Sequence, residues 1–329
     1  MRFWALLLCL FAIACTKSSA APSADGSAPL RIAVVPKGTT HEFWKAVHAG
    51  AVKASQELGV EIVWKGPLKE DDLKGQIDVV DSFVAQGVSG VVLAPLSDKG
   101  LVASVHAAVG ANIPVVIFDS DLSGQDHASF VATDNYAAGK MAANDLATRL
   151  GNKGNVMVLR YQEGSASTAN REKGFLDGIH EHPGINVVSA NQYGGATTET
   201  AFATSENLLL AQKAASGGVS GIFTPNESTT FGMLLALRKS GLASKIHFIG
   251  FDASDKLVAA VKGGEIDALV LQNPFNIGYL AVKTMTMKLR GQPIDKRVDT
   301  GAKLANKDNL DTPEIREVTQ PDLKKYLGE

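Results

Sequence analysis

The sequence predicts an α/β protein made of two similar lobes, each a doubly wound parallel sheet. From Leu30 onward, short apolar runs alternate with helix-length amphipathic segments, the signature of repeated strand–helix units. Two segments recur at nearly one offset. "GVSGVVLAP" at 87–95 returns as "GVSGIFTPN" at 218–226, and "IFD" ending at Asp119 returns as "GFD" ending at Asp252, separations of 131 and 133 residues. The chain has 329 residues, more than the ~100 to 200 of a single domain.

Residues 1–14 come first, one basic residue (Arg2) followed by an apolar stretch from Phe3 to Ala14. The stretch is too short for a stable membrane span and reads as a secretory signal. Ala12 and Ala14 precede Cys15, and "AIAC" resembles a bacterial lipobox, which implies lipid attachment at Cys15. Residues 15–29 are rich in Ser, Ala, Pro and Gly, too poor in large apolar groups to pack, and read as a flexible lipoprotein tether. The two cysteines, Cys9 and Cys15, both lie in this leader, so the body is expected to hold no disulfide and no thiolate metal site. The formal charge is −2, or −3 once Arg2 is removed with residues 1–14, and this balance suggests neither nucleic acid nor an anionic surface as partner.

The body begins with the strand "LRIAVV". A helix follows, with Phe43, Trp44, Val47, Ala51, Ala54 and Leu58 at steps of one, three and four, ending at Gly59. Next come the strand "VEIVW", a helix carrying Leu73, Ile77, Val80 and Val84, and the strand "GVVLAP". Further strands are predicted at "PVVIF", "NVMVL", "INVVSA", "GIFT", "IHFIG" and "DALVL", each rich in Val, Ile, Leu or Phe because helices cover both faces of such a sheet.

In an open α/β sheet, ligands bind outside the carboxyl ends of the strands. The polar residues leaving those ends are Lys37, Asp119, Glu163, Asn226, Asp252 and Gln272. Each has an ordinary alternative: Asp119 and Asp252 as helix caps, Asn226 as turn chemistry, Gln272 as a solvated strand end. Taken together they describe a cleft of acceptors and amides suited to a neutral, hydroxyl-rich ligand. In "HEFW", His41 to Trp44, the adjacent Phe43 and Trp44 point about 100° apart on a helix, so one is expected in the core and the other facing a ligand. "HEFWKAVH" lacks the second histidine of a zinc-protease motif, because position 45 is Lys. No G-x-G-x-x-G follows the first strand, and no Walker loop or G-x-S-x-G elbow occurs, so the reading is a binding protein, not an enzyme, with no cofactor and no metal.

The body from about Leu30 to Asn309 resembles bacterial periplasmic sugar-binding proteins of the ribose-binding type, the substrate-recognition subunits of ABC importers, which have the type I periplasmic binding protein fold. "HEFW" stands where that family has Asn-Pro-Phe-Phe, "FDSD" where it has Asp-Arg, and "STANREKGF" where it has Ser-Ala-Ala-Arg-Glu-Arg-Gly. "FTPNE", "IGFDAS" and "VLQNP" match its remaining segments. The resemblance implies sugar contacts at Asp119, Arg171, Asn226, Asp252 and Gln272, with Phe43 and Trp44 as a stacking face and His41 beside them. Ser120, also expected among the ligand contacts, replaces the arginine of the family's Asp-Arg pair, and "YGGATTET" lacks its second aromatic, leaving Tyr193 as the nearest ring. A subgroup that binds autoinducer-2 or rhamnose also resembles the first lobe, through "VVPKG", "WKGP" and "FDSD", and implies Lys37 as a further contact.

The expected organisation follows. Residues 30–132 and 273–300 form lobe 1, residues 133–272 and 301–310 form lobe 2, a three-segment hinge joins them, and 311–329 are a C-terminal extension. The expected function is extracytoplasmic capture of a monosaccharide or similar cyclic polyol between the lobes and its delivery to an ABC importer permease. The alternatives are an autoinducer-2/rhamnose-type binding protein and a sugar-sensing domain not coupled to transport. A helix-turn-helix before Leu30, which a repressor would need, is absent from the sequence. The expected location is the periplasm or cell envelope, the expected state a monomer held to a membrane only through the lipid at Cys15.

Overall fold

The computed structural model describes residues 29–328. The signal segment, most of the tether and Cys15 therefore lie outside the described residues. In chain order the first elements are β1 (Arg31–Val35), α1 (Glu42–Leu58), β2 (Glu61–Trp64), α2 (Leu73–Ala85), β3 (Gly90–Leu93), α3 (Val102–Gly110), β4 (Val115–Phe118) and β5 (Ser129–Ala132). Then come α4 (Asn135–Arg149), β6 (Gly154–Arg160), α5 (Ala166–His180), β7 (Ile185–Tyr193), α6 (Thr198–Ala211), β8 (Gly221–Phe223), α7 (Glu227–Lys239), β9 (His247–Phe251), α8 (Asp255–Lys262) and β10 (Ala268–Leu271). The chain closes with α9 (Pro274–Leu289), β11 (Arg297–Asp299), β12 (Lys303–Asn306), α10 (Pro313–Thr319) and α11 (Leu323–Leu327).

These strands form two sheets of one plan, ordered β11-β5-β4-β3-β1-β2 and β12-β10-β9-β8-β6-β7. The internal echo of the sequence is thus realised as β3 and β4 in one sheet standing where β8 and β9 stand in the other. All pairings are parallel except that of β12 with β10, which is antiparallel. The chain leaves the first sheet after β5, returns to that lobe with α9 and β11, and goes back to the second sheet with β12, so three segments join the lobes. At the hinge, the Arg297 guanidinium donates to the carbonyls of Ala132 and Thr133, at 2.7 and 3.1 Å, and Asp134 N–H donates to Asp299 Oδ1 at 3.0 Å.

Local chemistry explains where the helices stop and how closely they pack. Gly59 ends α1 in the left-handed region, φ 62°, with its N–H on Ser55 O, as the sequence pattern requires. On the second lobe, α4 and α5 nearly touch: a Cβ at Gly139 would lie 2.1 Å from the Arg171 carbonyl oxygen, so only glycine permits the approach that seats the Arg171 turn. On the first lobe the same device joins α1 and α9, where a Cβ at Gly50 would lie 1.8 Å from Phe275 O. Each sheet has an apolar cluster on both faces, as a doubly wound sheet requires.

The C-terminal segment is more than an extension. Leu310, Ile315 and Val318 are buried in the core of the second lobe, whereas α11 contacts α1 of the first lobe and the Tyr326 ring lies 5.5 Å from that of Phe275 in α9. The tail therefore spans both lobes in this form. Ile315→Ala should cost about 2–5 kcal/mol of unfolding free energy in a denaturant titration. Truncation after Gln320 should cost little, because α11 buries no residue. It should nevertheless raise the ligand-free radius of gyration in small-angle scattering, and an unchanged radius would show that α11 does not tie the lobes.

Candidate functional site

The carboxyl ends of the two sheets face each other, and the site is built where they meet. Asp119 follows β4 and Asp252 follows β9, at equivalent places in the two lobes. The Asp119 N–H bonds Val131 O at 3.0 Å and the Asp252 N–H bonds Val270 O at 2.9 Å, so each continues its ladder by one residue. Both then turn through the left-handed region, at φ 60° and 67°. Asp tolerates that conformation better than most residues, and such strain concentrates at functional positions. Neither aspartate caps a helix: the cap of α8 is Ser254, whose side chain accepts from Leu257 N.

Between the lobes lies a cavity lined by Lys37, His41, Phe43, Trp44, Asp119, Arg171, Asn226, Asp252 and Gln272, together with Glu70, Tyr161, Ser167, Thr168 and Glu227. The cavity is small, about 30 Å³, so the lobes are drawn tightly together. Lys37 Nζ reaches across to Ser165 and Ser167 Oγ, at 3.2 and 3.1 Å, and lies 3.4 Å from Asp119 Oδ2. Asp98 N–H donates to Gly164 O at 2.9 Å on the same interface.

Ser120, expected at the site, is one exception. It is fully buried, but its Oγ accepts the Ser167 N–H at 3.1 Å, a bond between the lobes, and it does not line the cavity. Phe43 and Trp44 do not divide into core and ligand faces as expected: both are buried, packed edge to face with centroids 4.9 Å apart, and both line the cavity. Tyr193 stays outside, under the Arg160 guanidinium at 4.6 Å. Glu163 is exposed, and Tyr161, two residues earlier, occupies the wall. Asp121 braces its own loop by accepting Leu122 N–H at 2.8 Å.

The sequence reading missed Glu70, Tyr161, Ser167, Thr168 and Glu227. Glu70 sits in "KEDD", which reads as a solvated charge run, and Glu227 looks like an ordinary first-turn acid of α7. Ser167 and Thr168 could have been found from their place in the motif that contains Arg171.

Two polar atoms of residues on the cavity wall have no hydrogen-bond partner among the described residues, Arg171 Nη2 and Gln272 Oε1. Their neighbours are committed. Arg171 Nε donates to Asn135 Oδ1 at 2.8 Å, Nη1 donates to Pro225 O at 2.9 Å, and the guanidinium covers the Phe251 ring at 4.0 Å. Gln272 Nε2 donates to Asp252 Oδ1 at 2.8 Å, and Glu227 N–H donates to the other Asp252 oxygen at 3.1 Å. Asn226 caps α7 through the Thr229 N–H at 3.2 Å. Buried donors and acceptors are rarely left unpaired.

Four carboxyl groups and three basic side chains share the cavity. Glu70 takes three donors, His41 Nδ1 and Trp44 Nε1 each at 2.7 Å and the Tyr161 hydroxyl at 2.6 Å. Burial works against its ionised form, but the cationic His41, its hydrogen bond, Lys37 and Tyr161 prevail and hold its pKa down at about 2. Burial likewise opposes protonation of His41, yet Glu70, with Glu227 and Asp252 behind it, raises the imidazole to about 9. Burial and the nearby carboxylates lift Glu227 to about 7, while its Oε2 accepts the Phe43 N–H of the other lobe at 3.2 Å. Burial raises Asp252 and lowers Arg171, each opposed by the other's charge. Among the described residues no cluster of His, Cys, Asp and Glu has the arrangement of a metal site.

Because the folded pKa of His41 lies above its unfolded 6.5, its stabilisation is fully present below pH 6.5 and is lost as pH rises through 9. Glu70 behaves oppositely, its contribution being present above pH 4.5 and lost as pH falls through 2. The stability gap between the unaltered protein and His41→Gln should therefore narrow between pH 6.5 and 9, by on the order of 2 kcal/mol, in denaturant titrations. A gap that is flat across that window would mean the imidazole is not held charged.

The described chain resembles known proteins over nearly its full length. It is 28% identical over 284 residues, 86% of this chain and 94% of the relative, to the ribose import binding protein RbsB of Haemophilus influenzae. Among solved structures it superposes with TM-score 0.80 on the periplasmic component of an ABC-type sugar transport system from Hahella chejuensis, at 40% identity, covering 84% of this chain and 99% of that one. It also matches a carbohydrate transporter solute binding protein from Agrobacterium radiobacter, crystallised with D-arabinose, at TM-score 0.84 and 32% identity, covering 88% and 99% of the two chains. With its two lobes meeting over one polar cavity, and with residues 32–293 matching the periplasmic binding protein domain, the chain belongs to the family of periplasmic binding proteins.

Proposed function

We propose that this protein captures a monosaccharide or similar cyclic polyol between its lobes and delivers it to an ABC importer. The observation that carries the reading is the unpaired couple on the cavity wall, one donor at Arg171 Nη2 and one acceptor at Gln272 Oε1. A sugar hydroxyl supplies both a donor and an acceptor, and a ring of hydroxyls can satisfy such a couple without bringing net charge. The four carboxyl groups of the cavity already face Lys37, His41 and Arg171, so a dianionic ligand would meet Asp119 and Asp252 with no cation in reserve. Phe43 and Trp44 supply an apolar wall of the kind that packs against the C–H face of a sugar ring. The similarity to ribose and arabinose binders supports the same ligand class.

The mechanism is capture by closure. A cavity of about 30 Å³ does not hold a ring, so the lobes must part further than they do here for binding to begin, and contacts from both lobes then select closure around the ligand. The site binds its ligand without turning it over. The reading extends to the leader: a protein made for the periplasm or cell envelope, held by lipid on Cys15 and a tether up to residue 29, acting as a monomer. A second reading has one observation in its favour. Lys37 is buried in the cavity beside Asp119, as the resemblance to the autoinducer-2 and rhamnose subgroup implies.

A thermal-shift panel of aldoses, polyols, autoinducer-2 and phosphorylated sugars separates these readings, since a ligand at 100 times Kd stabilises by about 2.7 kcal/mol. We expect a shift with an aldose or cyclic polyol and none with a phosphosugar. A response only to phosphosugars or amino acids would overturn the reading, and one confined to autoinducer-2 would select the second. Calorimetry with the best neutral hit should show Asp119→Ala losing roughly 1.5–3 kcal/mol of binding, a charge-assisted bond in a dry site. Asp121→Ala, which disturbs only its own loop, should lose far less.

A further inference from the structure

We propose that Glu70 is a positioning residue that presets the first lobe's binding face and receives the second lobe on closure, so that ligand capture is converted into a bond between lobes. This rests on the capture reading above. The geometry divides the three donors to the Glu70 carboxylate by lobe. His41 Nδ1 and Trp44 Nε1, both at 2.7 Å on Oε1, come from the start of α1 in the first lobe and stay beside Glu70 whether the lobes are open or closed. The Tyr161 hydroxyl, at 2.6 Å on Oε2, comes from the end of β6 in the second lobe and can reach Glu70 only when the lobes meet. A further bond follows it across the interface: Gln162 Nε2 donates to the Glu70 backbone carbonyl at 2.9 Å.

One carboxylate therefore serves two tasks. Within the first lobe it fixes the indole edge of Trp44, and with it the aromatic wall, and it keeps the imidazole of His41 in the charged form against Glu227 and Asp252 on the facing lobe. Across the cleft it offers its second oxygen to Tyr161. Short bonds of this kind, a neutral hydroxyl on a carboxylate, are among the stronger ones. Burial and the neighbouring Glu70, Asp119 and Asp71 charges push the Tyr161 phenol well above its ordinary range, so it remains a donor at any pH the cell envelope meets. Both Glu70 oxygens have partners among the described residues without any ligand atom. It is therefore separate from Arg171 Nη2 and Gln272 Oε1, which are unpaired on the same cavity.

The experiment uses Glu70→Gln and Tyr161→Phe in the full-length protein, with circular dichroism to confirm folding. Nuclear magnetic resonance titration of the ligand-free protein reads His41. Glu70→Gln should bring its pKa down from about 9 towards 6.5 or below, whereas Tyr161→Phe should leave it above 8. Stopped-flow dissociation, with D-ribose and D-arabinose as probes, reads the lobe-to-lobe bond. Tyr161→Phe should release either bound sugar about 10- to 100-fold faster, the loss of one hydrogen bond to a charged group, with an unchanged association rate. An unmoved His41 titration in Glu70→Gln, or an unaltered dissociation rate in Tyr161→Phe, would overturn the proposal. If neither probe binds the unaltered protein, the ligand assignment fails for those sugars, and the His41 titration still decides whether Glu70 presets the first lobe.

Discussion

Burying charge between two lobes is tolerable only if every charge finds a partner, and this constraint organises the molecule. Four carboxyl groups and three cationic side chains line one narrow cavity. Removing one member of a buried pair typically costs 3–5 kcal/mol, because the survivor is left uncompensated. Each ion pair lies within one lobe, Lys37 with Asp119 and His41 with Glu70 in the first and Arg171, 4.0 Å from Asp252, in the second, while Lys37 also reaches the serines of the second lobe and Arg171 is felt by Asp119 of the first. Closing the lobes adds hydrogen bonds across the cleft to these pairs, and opening them exposes the same groups to water. A ligand with donors and acceptors but no net charge enters this balance without upsetting it.

The fold supplies the two half-sites by repetition. Each sheet has the same strand order, and the fourth strand in each ends in an aspartate whose N–H extends the ladder before the backbone turns through positive φ. Repetition does not make the halves equivalent in chemistry. Asp252 has both oxygens engaged, by Gln272 and by Glu227 N–H, whereas the described partner of the Asp119 carboxylate is Lys37. The first lobe thus offers the freer acceptor, and the second offers the unpaired donor and acceptor of Arg171 and Gln272. The tail adds an asymmetry of its own, since it is rooted in the core of the second lobe and ends against α1 of the first.

What could be read from the sequence was whatever is local and strongly patterned. Strands such as "GVVLAP" and "IHFIG" are buried on both faces and declare themselves by composition alone. β5, β11 and β12 escaped because "SFVA", "RVD" and "KLAN" lack the continuous apolar run of the central strands, and β11 and β12 carry polar residues at the sheet edge, where only β-sheet pairing reveals them. The same contrast holds in the site. Asp119 and Asp252 were legible because they end patterned strands, and the resemblance added Arg171. Glu70 was not, because a carboxylate in "KEDD" acquires its meaning only when His41, Trp44 and Tyr161, distant in sequence, converge on it. Ser120 shows the reverse error: a polar residue next to a site aspartate served contact between lobes instead of the cavity wall.

The proposed site rests on one cavity and two unpaired atoms within it, so the most direct test is a crystal structure with the neutral ligand that stabilises the protein most. That structure should show a single ring between the lobes, with hydroxyl oxygens within hydrogen-bond distance of Arg171 Nη2 and Gln272 Oε1 and a further hydroxyl on Asp119. A ligand seated instead in the larger depression bordered by Thr319, Gln320 and Leu323 of the C-terminal segment, with those two atoms still unpaired, would contradict this reading.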